Sequence, residues 1–286
     1  MIGMGESRKQ VGVLGLGRMG AALAGALLEA GHDVVVWNRS PLKAGPLLDR
    51  GARLAATPEE AASAEVVISC LSTYDAQRPV LAAASPKVLV NLTSGTPAQA
   101  REVASWASAE GIEYVDGVIM AVPQGIGTPQ SRILYGGSRA AFDAQREVLS
   151  VLGEPVFLGE DAGLPALHDL ALLGIMWSTM AGYLHALALV GTEGVTPSTF
   201  TPMALSWLSA VSGFLPGIGE QVASGDYATD VSALDINAAG LGLLVETSRE
   251  RGIGTSVPSA VKELFDRAVA AGHGSHAIAS VIEEIR

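Results

Sequence analysis

Cysteine is almost absent: Cys70 stands alone among 286 residues. A single thiol cannot form an internal disulfide, so an ordinary core must hold the fold, and a reducing compartment suits it. Cys70 sits in the apolar run EVVISCLS and reads as a buried strand residue. Charge is scarce too, at 16% of residues, and it sums to −11. An acidic chain without a Lys/Arg cluster offers no footprint for nucleic acid. Lysine is missing between Lys87 and Lys262, so no ammonium is available as acid or base across the middle of the chain. Metal-ligand clusters are missing as well. His273 and His276 are three apart but have no further ligands nearby, so no metal is expected. No Ser-His-Asp or Cys-His pairing stands out. The opening MIGMGESRKQ lacks the apolar core of a signal segment. It is expected to be disordered, and the protein to be cytoplasmic.

Apolar residues, by contrast, make up 49% of the chain, enough for two domains and for apolar surface buried between domains or subunits. Their densest stretch is 165–190, PALHDLALLGIMWSTMAGYLHALALV, whose one formal charge is Asp169. As a helix it would be roughly 39 Å long and apolar on nearly all sides. Asp169, Leu173, Met176, Trp177 and Met180 recur at helical spacing and share a face. Gly174, Ser178 and Gly182 form a second stripe, small enough for another helix to approach closely. A lone carboxylate there costs several kcal/mol in desolvation unless it is paired. It is either a hydrogen-bonded structural group or an anion awaiting a cationic substrate. The length also permits a membrane span, but the flanks carry Glu160, Asp161 and Glu193, and no second span follows. The expectation is a buried helix at a domain or subunit interface, without a membrane partner.

Before this helix, short β-rich runs alternate with Ala-rich helical patterns. Strands are expected at 11–14, 34–37, 66–71, 88–92, 114–118, 132–135 and 156–158, and helices at 19–30, 41–50, 97–110 and 140–152. Such alternation implies a parallel, doubly wound sheet. After the helix only helical patterns follow, at 202–215, 233–251 and 258–271. The fold class is therefore α/β, with an N-terminal Rossmann domain (1–162), a long interdomain helix (163–190) and an all-α C-terminal domain (191–286).

The first strand runs into GLGRMG, which places Gly15, Gly17 and Gly20 in GxGxxG spacing ahead of an Ala/Leu helix. That context marks a dinucleotide site, with Leu16, Arg18 and Met19 in the phosphate loop and pyrophosphate on the helix N-terminus. NAD readers place an acidic residue at the end of the second strand. This chain has Trp37-Asn38-Arg39-Ser40 and then Lys43, with Asp33 at the opposite end of the strand. A guanidinium, a hydroxyl and an ammonium suit a 2′-phosphate, so NADPH is the expected cofactor; the alternative is that Arg39 and Lys43 are solvated helix-start charges. Later strand ends should complete the crevice: Leu71 and Ser72, then Asn91, Thr93 and Ser94, then the uncharged loop containing Met120, Ala121 and Val122.

A Rossmann unit, one long helix and a helical domain resemble the β-hydroxyacid dehydrogenase superfamily. Two of its signatures are missing: Met120-Ala121-Val122 replaces a Ser-Gly-Gly anion loop, and the long helix lacks the catalytic lysine. The segments NRS, NLTSGTP, GVIMAVPQGIG, HDLALLGIMWS and PMALSWL instead resemble the imine reductases and reductive aminases. That resemblance implies NADPH-dependent reduction of cyclic imines or iminium ions, with carbonyl–amine coupling in some members. It also implies a domain-swapped homodimer whose active site lies between one Rossmann domain and the partner's helical domain. By position, Asp169 matches the family's aspartate, Ser94 lies in its cofactor-side loop, and Trp207 matches a pocket-wall aromatic. Trp177 departs from the Tyr of many members. Val122, Leu173, Met180 and Phe214 complete the expected apolar wall against an imine, amine or carbonyl substrate.

The chemistry agrees. A carbonyl reductase must protonate a developing alkoxide and needs an acid near the nicotinamide. An iminium arrives protonated and needs only an anion and a shaped apolar pocket. Asp169 supplies the anion, and Trp177 adds a donor N–H and a cation–π face but no transferable proton. Two other classes stay open: a hydroxyacid or carbonyl oxidoreductase, and a non-catalytic NADP-sensing protein.

Overall fold

A computed structural model describes residues 8–286. The disorder expected for the first ten residues falls on 1–7, outside the described residues, whereas Gln10 already opens a strand. Strands β1 (Gln10–Leu14), β2 (Asp33–Trp37), β3 (Arg53–Leu54), β4 (Val66–Ser69), β5 (Val88–Asn91), β6 (Glu113–Ile119), β7 (Arg132–Gly137) and β8 (Glu154–Gly159) form one sheet. Its order is β3-β2-β1-β4-β5-β6-β7-β8. Helices α1 (Arg18–Glu29), α2 (Gly45–Leu48), α3 (Pro58–Ala62), α4 (Tyr74–Ala84), α5 (Pro97–Ala109) and α6 (Arg139–Leu152) connect them. Leu23 and Leu27 of α1 and Phe142, Val148 and Leu149 of α6 pack on one face of the sheet. Tyr74, Leu81, Ala100 and Val103 of α4 and α5 pack on the other.

The all-parallel expectation is corrected at one place: β7 runs antiparallel to β6. A parallel return needs a crossover, usually a helix, but the connecting loop holds only a 3-10 turn at Pro123–Gly125. The helix expected over 41–50 is broken into a 3-10 turn, Pro41–Ala44, and the short α2, because Gly45-Pro46 interrupts it. Helix α4 is an addition to the expected elements. It carries Pro79 internally and starts from Thr73, whose hydroxyl caps the Ala76 amide.

Contacts divide the chain into two compact units, one through Leu173 and one from Gly174. Helix α7 (Leu164–Gly191) is continuous across that division. The second unit continues with α8 (Pro197–Ser212), α9 (Leu215–Ser224), α10 (Leu234–Glu250) and α11 (Ser256–Ala268). Its core is small, built from Leu234, Ala238, Phe265, Ala268 and Val281. The expectation of a buried α7 does not hold within one chain, because only Pro165 and Ala166 are buried. An all-round apolar helix is buried only where neighbours surround it, and beyond Ala166 the residues of one chain do not bury α7. Among the described residues, α7 is also the helix long and apolar enough to cross a membrane.

Candidate functional site

A cavity of about 730 Å³ opens at the carboxyl ends of β1, β2 and β4. Gly15, Gly17, Arg18, Met19 and Gly20 form its floor; Asn38, Arg39, Ser40 and Lys43 form one wall, and Cys70, Leu71 and Ser72 form another. Gly15 has φ of 102°, and a Cβ there would lie 2.3 Å from the Cys70 carbonyl oxygen. A Cβ on Gly20 would meet the Gly15 carbonyl oxygen at 2.1 Å, so both positions admit only glycine. Gly17 is the N-cap of α1 and supplies no side-chain cap, so the first amides of this helix face the cavity side without one. Uncapped amides at the positive end of a helix suit a pyrophosphate, and the exposed Arg39, Ser40 and Lys43 suit a 2′-phosphate.

Not every anticipated cofactor residue reaches this cavity. Leu16 is 3% exposed and packs in the core, while its amide donates to Asn38 Oδ1 at 2.9 Å. Asn38 lines the cavity, but its side chain is also committed, donating to the Ser40 carbonyl at 3.0 Å. Asn91 and Thr93 are buried behind the wall. Met120 and Ala121 are half-buried and do not line the cavity, and neither does the exposed Ser94, which was expected at the substrate. Val122 does line it, although it was expected against the substrate. Ala76 and Val80 of α4 complete the wall; sequence reasoning misses them because it misses α4 itself.

Behind this wall lies a polar cluster that sequence pattern does not reveal. Asp116 is 1% exposed, and its Oδ2 accepts from the hydroxyls of Tyr74 (3.0 Å) and Tyr114 (2.9 Å) and from Asn91 Nδ2 (3.0 Å). Burial pushes its carboxyl up to about 7, against the three donors that pull it down. The only trace in sequence is an acid inside the apolar run YVDGVI.

Asp169 on α7 is half-buried, and burial alone raises its carboxyl above the usual range. Leu173 is half-buried. Trp177, Met180, Trp207 and Phe214 are exposed, at 54–69%. Trp207 lines an apolar cavity of about 540 Å³ along α7 and α8 with Gly182, Tyr183, Phe200 and Met203. Trp177 and Met180 do not. His168 bonds the Leu164 carbonyl one turn before it, and His185 pairs with the Ser248 hydroxyl on α10. His273 and His276 hydrogen-bond each other at 3.0 Å, and among the described residues no group of three metal-binding side chains exists.

Residues 161–286 match the family model of the NADPH-dependent reductive aminase-like C-terminal domain. Residues 10–159 match that of the NAD binding domain of 6-phosphogluconate dehydrogenase. The chain is 41% identical to the NADPH-dependent reductive aminase of Aspergillus oryzae over 96% of each protein. The chain belongs to the reductive aminase and imine reductase family. Among solved structures, a reductive aminase from Aspergillus terreus in complex with NADPH and ethyl levulinate is similar, with a TM-score of 0.92 and 41% identity. That likeness covers 98% of this chain and 100% of the other. An imine reductase from Bacillus cereus follows at 0.91 and 38%, over 97% and 99%. The Gly15–Gly20 cavity is built entirely within the first unit, and the apolar residues expected at the substrate, Val122 and Leu173 excepted, lie in the second.

Proposed function

We propose that this chain is an NADPH-dependent imine reductase, acting on C=N bonds of imines or iminium ions and able to take amine and carbonyl partners. One observation carries the reading. A cavity with an uncapped helix N-terminus and a wall of Arg39, Ser40 and Lys43 occurs in a chain whose long apolar helix holds one half-buried carboxylate, Asp169. Bound NADPH supplies the hydride. Gly17 and the first amides of α1 hold the pyrophosphate, while Arg39, assisted by Ser40 and Lys43, holds the 2′-phosphate. Asp169 stays ionised and pairs with the substrate cation. An opposite charge within about 4–6 Å shifts a pKa by about 1–3 units, so the carboxylate raises the pKa of a weakly basic imine and keeps it protonated. The cation in turn relieves the carboxylate of the burial that disfavours its charge. Trp177 and Trp207 bound the iminium, and Leu173, Met180, Phe214 and Val122 exclude water around it.

In this reading the chain works as a cytoplasmic homodimer. Residues 1–162 bind cofactor, 163–190 bridge, and 191–286 pair with a second copy and complete its substrate site. Helix α7 meets that second copy, not lipid. The exposed apolar side chains of α7 to α9 support this, since a monomer seldom leaves so large an apolar surface open.

The test follows loss of NADPH absorbance against a panel of cyclic imines and matched ketones. Turnover of imines with little on ketones is the expected result. Reduction of ketones alone would make the chain a carbonyl oxidoreductase, and cofactor binding without turnover on either would make it an NADP sensor.

A further inference from the structure

We propose that Asp116 is a positioning residue for the cofactor site, acting through Asn91 and Thr93 on the Leu71 wall and through Tyr74 on α4. The inference rests on the reading of the Gly15–Gly20 cavity as the NADPH site. Asp116 touches neither cofactor nor substrate positions; it lies behind them. Its Oδ2 collects three donors, from Tyr74, Tyr114 and Asn91. Asn91 then presents Oδ1 outward, accepting from Gln77 Nε2 at 2.5 Å and from the Thr93 amide at 3.1 Å. Thr93 passes the constraint on, because its Oγ1 accepts from the Leu71 amide at 3.1 Å. Leu71 lines the cavity. The second arm is shorter. Tyr74 and Gln77 belong to α4, whose Ala76 and Val80 form the rest of that wall.

The cluster is poorly arranged for stability alone. Asp116 Oδ1 and Gln77 Oε1 are buried without a hydrogen-bond partner among the described residues. A buried carboxylate with an unpartnered oxygen costs folding free energy that a neutral side chain would not. What the charge contributes is grip, since three charge-assisted bonds to one oxygen hold Tyr74 and Asn91 harder than neutral bonds do. Protonation on Oδ2 would turn the shared acceptor into a donor facing three donors. Protonation on Oδ1 would place a hydrogen where no acceptor is bonded. Either way the wall loosens.

The groups facing Asp116 are Tyr74 from α4, Asn91 from β5 and Tyr114 from its own strand, and among the described residues no charged side chain acts on it. Burial and the carboxylate both push the two tyrosines up, so they remain protonated donors. The titrating group in the cluster is Asp116, and NADPH affinity should therefore rise with pH through its ionisation.

The experiment measures NADPH dissociation constants by cofactor fluorescence from about pH 6 to about pH 8, together with melting temperature, since the carboxyl titrates near neutrality. The variants are Thr93→Val, Thr93→Ser and Asp116→Asn. Thr93→Val severs the bond to Leu71 and leaves the carboxylate in place, so affinity should fall about five-fold, the size of one net hydrogen bond. Thr93→Ser restores the acceptor and should stay within about two-fold of the parent, because its hydroxyl makes the same bond. Asp116→Asn should weaken binding about ten-fold above neutrality and flatten the pH profile, leaving only the 2′-phosphate's own titration. Equal losses for Thr93→Val and Thr93→Ser, or parental affinity and pH profile in Thr93→Val and Asp116→Asn, overturn the proposal. If Asp116→Asn fails to fold, the two Thr93 variants still decide it. A parent chain that binds no NADPH overturns the cofactor reading itself, and this inference with it.

Discussion

Leu23 and Leu27, on the helix that follows the glycine loop, are fully buried, whereas Ile175, Trp177 and Leu184 on the more apolar α7 are 58–64% exposed. The first unit buries its apolar surface against its own sheet, with helices on both faces. In the second unit, α8 and α9 bury nothing, and the core is confined to α10, α11 and the C-terminal turn. Helix α1, apolar between Arg18 and Glu29, is covered by the sheet and by α6, whereas α7 buries only Pro165 and Ala166. The contrast teaches where burial lies: the first unit covers its apolar helices within one chain, and the second leaves α7 to α9 open, the surface on which a second copy is proposed to sit.

The largest expected effect comes from attacking that open apolar surface. Leu184→Arg places a charge on the open face of α7 and should abolish both the dimer and turnover. Light scattering with parallel NADPH titration checks this, and the first unit should still bind cofactor. A monodisperse, fully active monomer at assay concentration would erase the contrast, because an obligate interface above about 2,000 Å² of buried area is expected here.

Next in size is the cost carried by the finished unit. Burial pushes the Asp116 carboxyl up to about 7 in the folded chain, against about 3.9 for an aspartate in water. A raised carboxyl favours the folded state only while protonated. This contribution is therefore fully present below the unfolded pKa and is lost as pH rises through the folded value near 7. The loss is on the order of 4 kcal/mol, at about 1.4 kcal/mol for each pH unit between the two values. Melting temperature should decline for the parent relative to Asp116→Asn as pH climbs through this window. Parallel pH dependences for the two proteins would show that the buried charge costs nothing. Together with the proposed gain in cofactor grip, the expected slope describes stability given up for position.

Smaller effects belong to direct ligand contacts. Asp169→Asn keeps the shape and removes the charge, and should lower kcat/KM on neutral imines by about ten- to a hundred-fold, or about 1.4–2.8 kcal/mol. The loss should be least for a permanently charged N-alkyl iminium. Unchanged activity on neutral imines at about pH 8, with normal folding and NADPH binding, would make Asp169 structural and return its partial burial to ordinary packing. Arg39→Ala should reduce a preference for NADPH over NADH by about ten-fold, mainly in KM, since a charge-assisted contact contributes about 1.5–3 kcal/mol. Equal losses with both cofactors would remove the 2′-phosphate role. Trp177→Phe should change KM and substrate selectivity by only a few-fold, because it moves no proton; a collapse of kcat would contradict that.

Local features are legible in the sequence for a physical reason: each is decided within a turn or two of chain. The Gly15–Gly20 spacing, the Arg39/Ser40/Lys43 strand end and the length of α7 are of this kind. Helix α4 is not legible, because Pro79 interrupts its pattern, and with it go Ala76 and Val80 of the cavity wall. The reversal of β7 does leave a trace in the sequence, since no helical pattern separates 118 from 132 and a parallel return needs a crossover.

By itself, the sequence determined that a strand would open into a dinucleotide loop, that the long helix would carry no lysine, and that one carboxylate would ride that apolar helix. Those properties belong to single segments, where backbone sterics and side-chain period act directly. Tertiary structure decided which polar residues face the cavity and which stand behind it. Asn91, expected beside the cofactor, is buried against Asp116, Tyr74 and Tyr114, residues brought together from α4 and β6. Burial also decides their chemistry, since the same aspartate on an exposed strand would keep an ordinary pKa. Tertiary structure likewise decided that α7 stays open along most of its length in one chain, because burial depends on the surface a helix meets and not on its own apolarity.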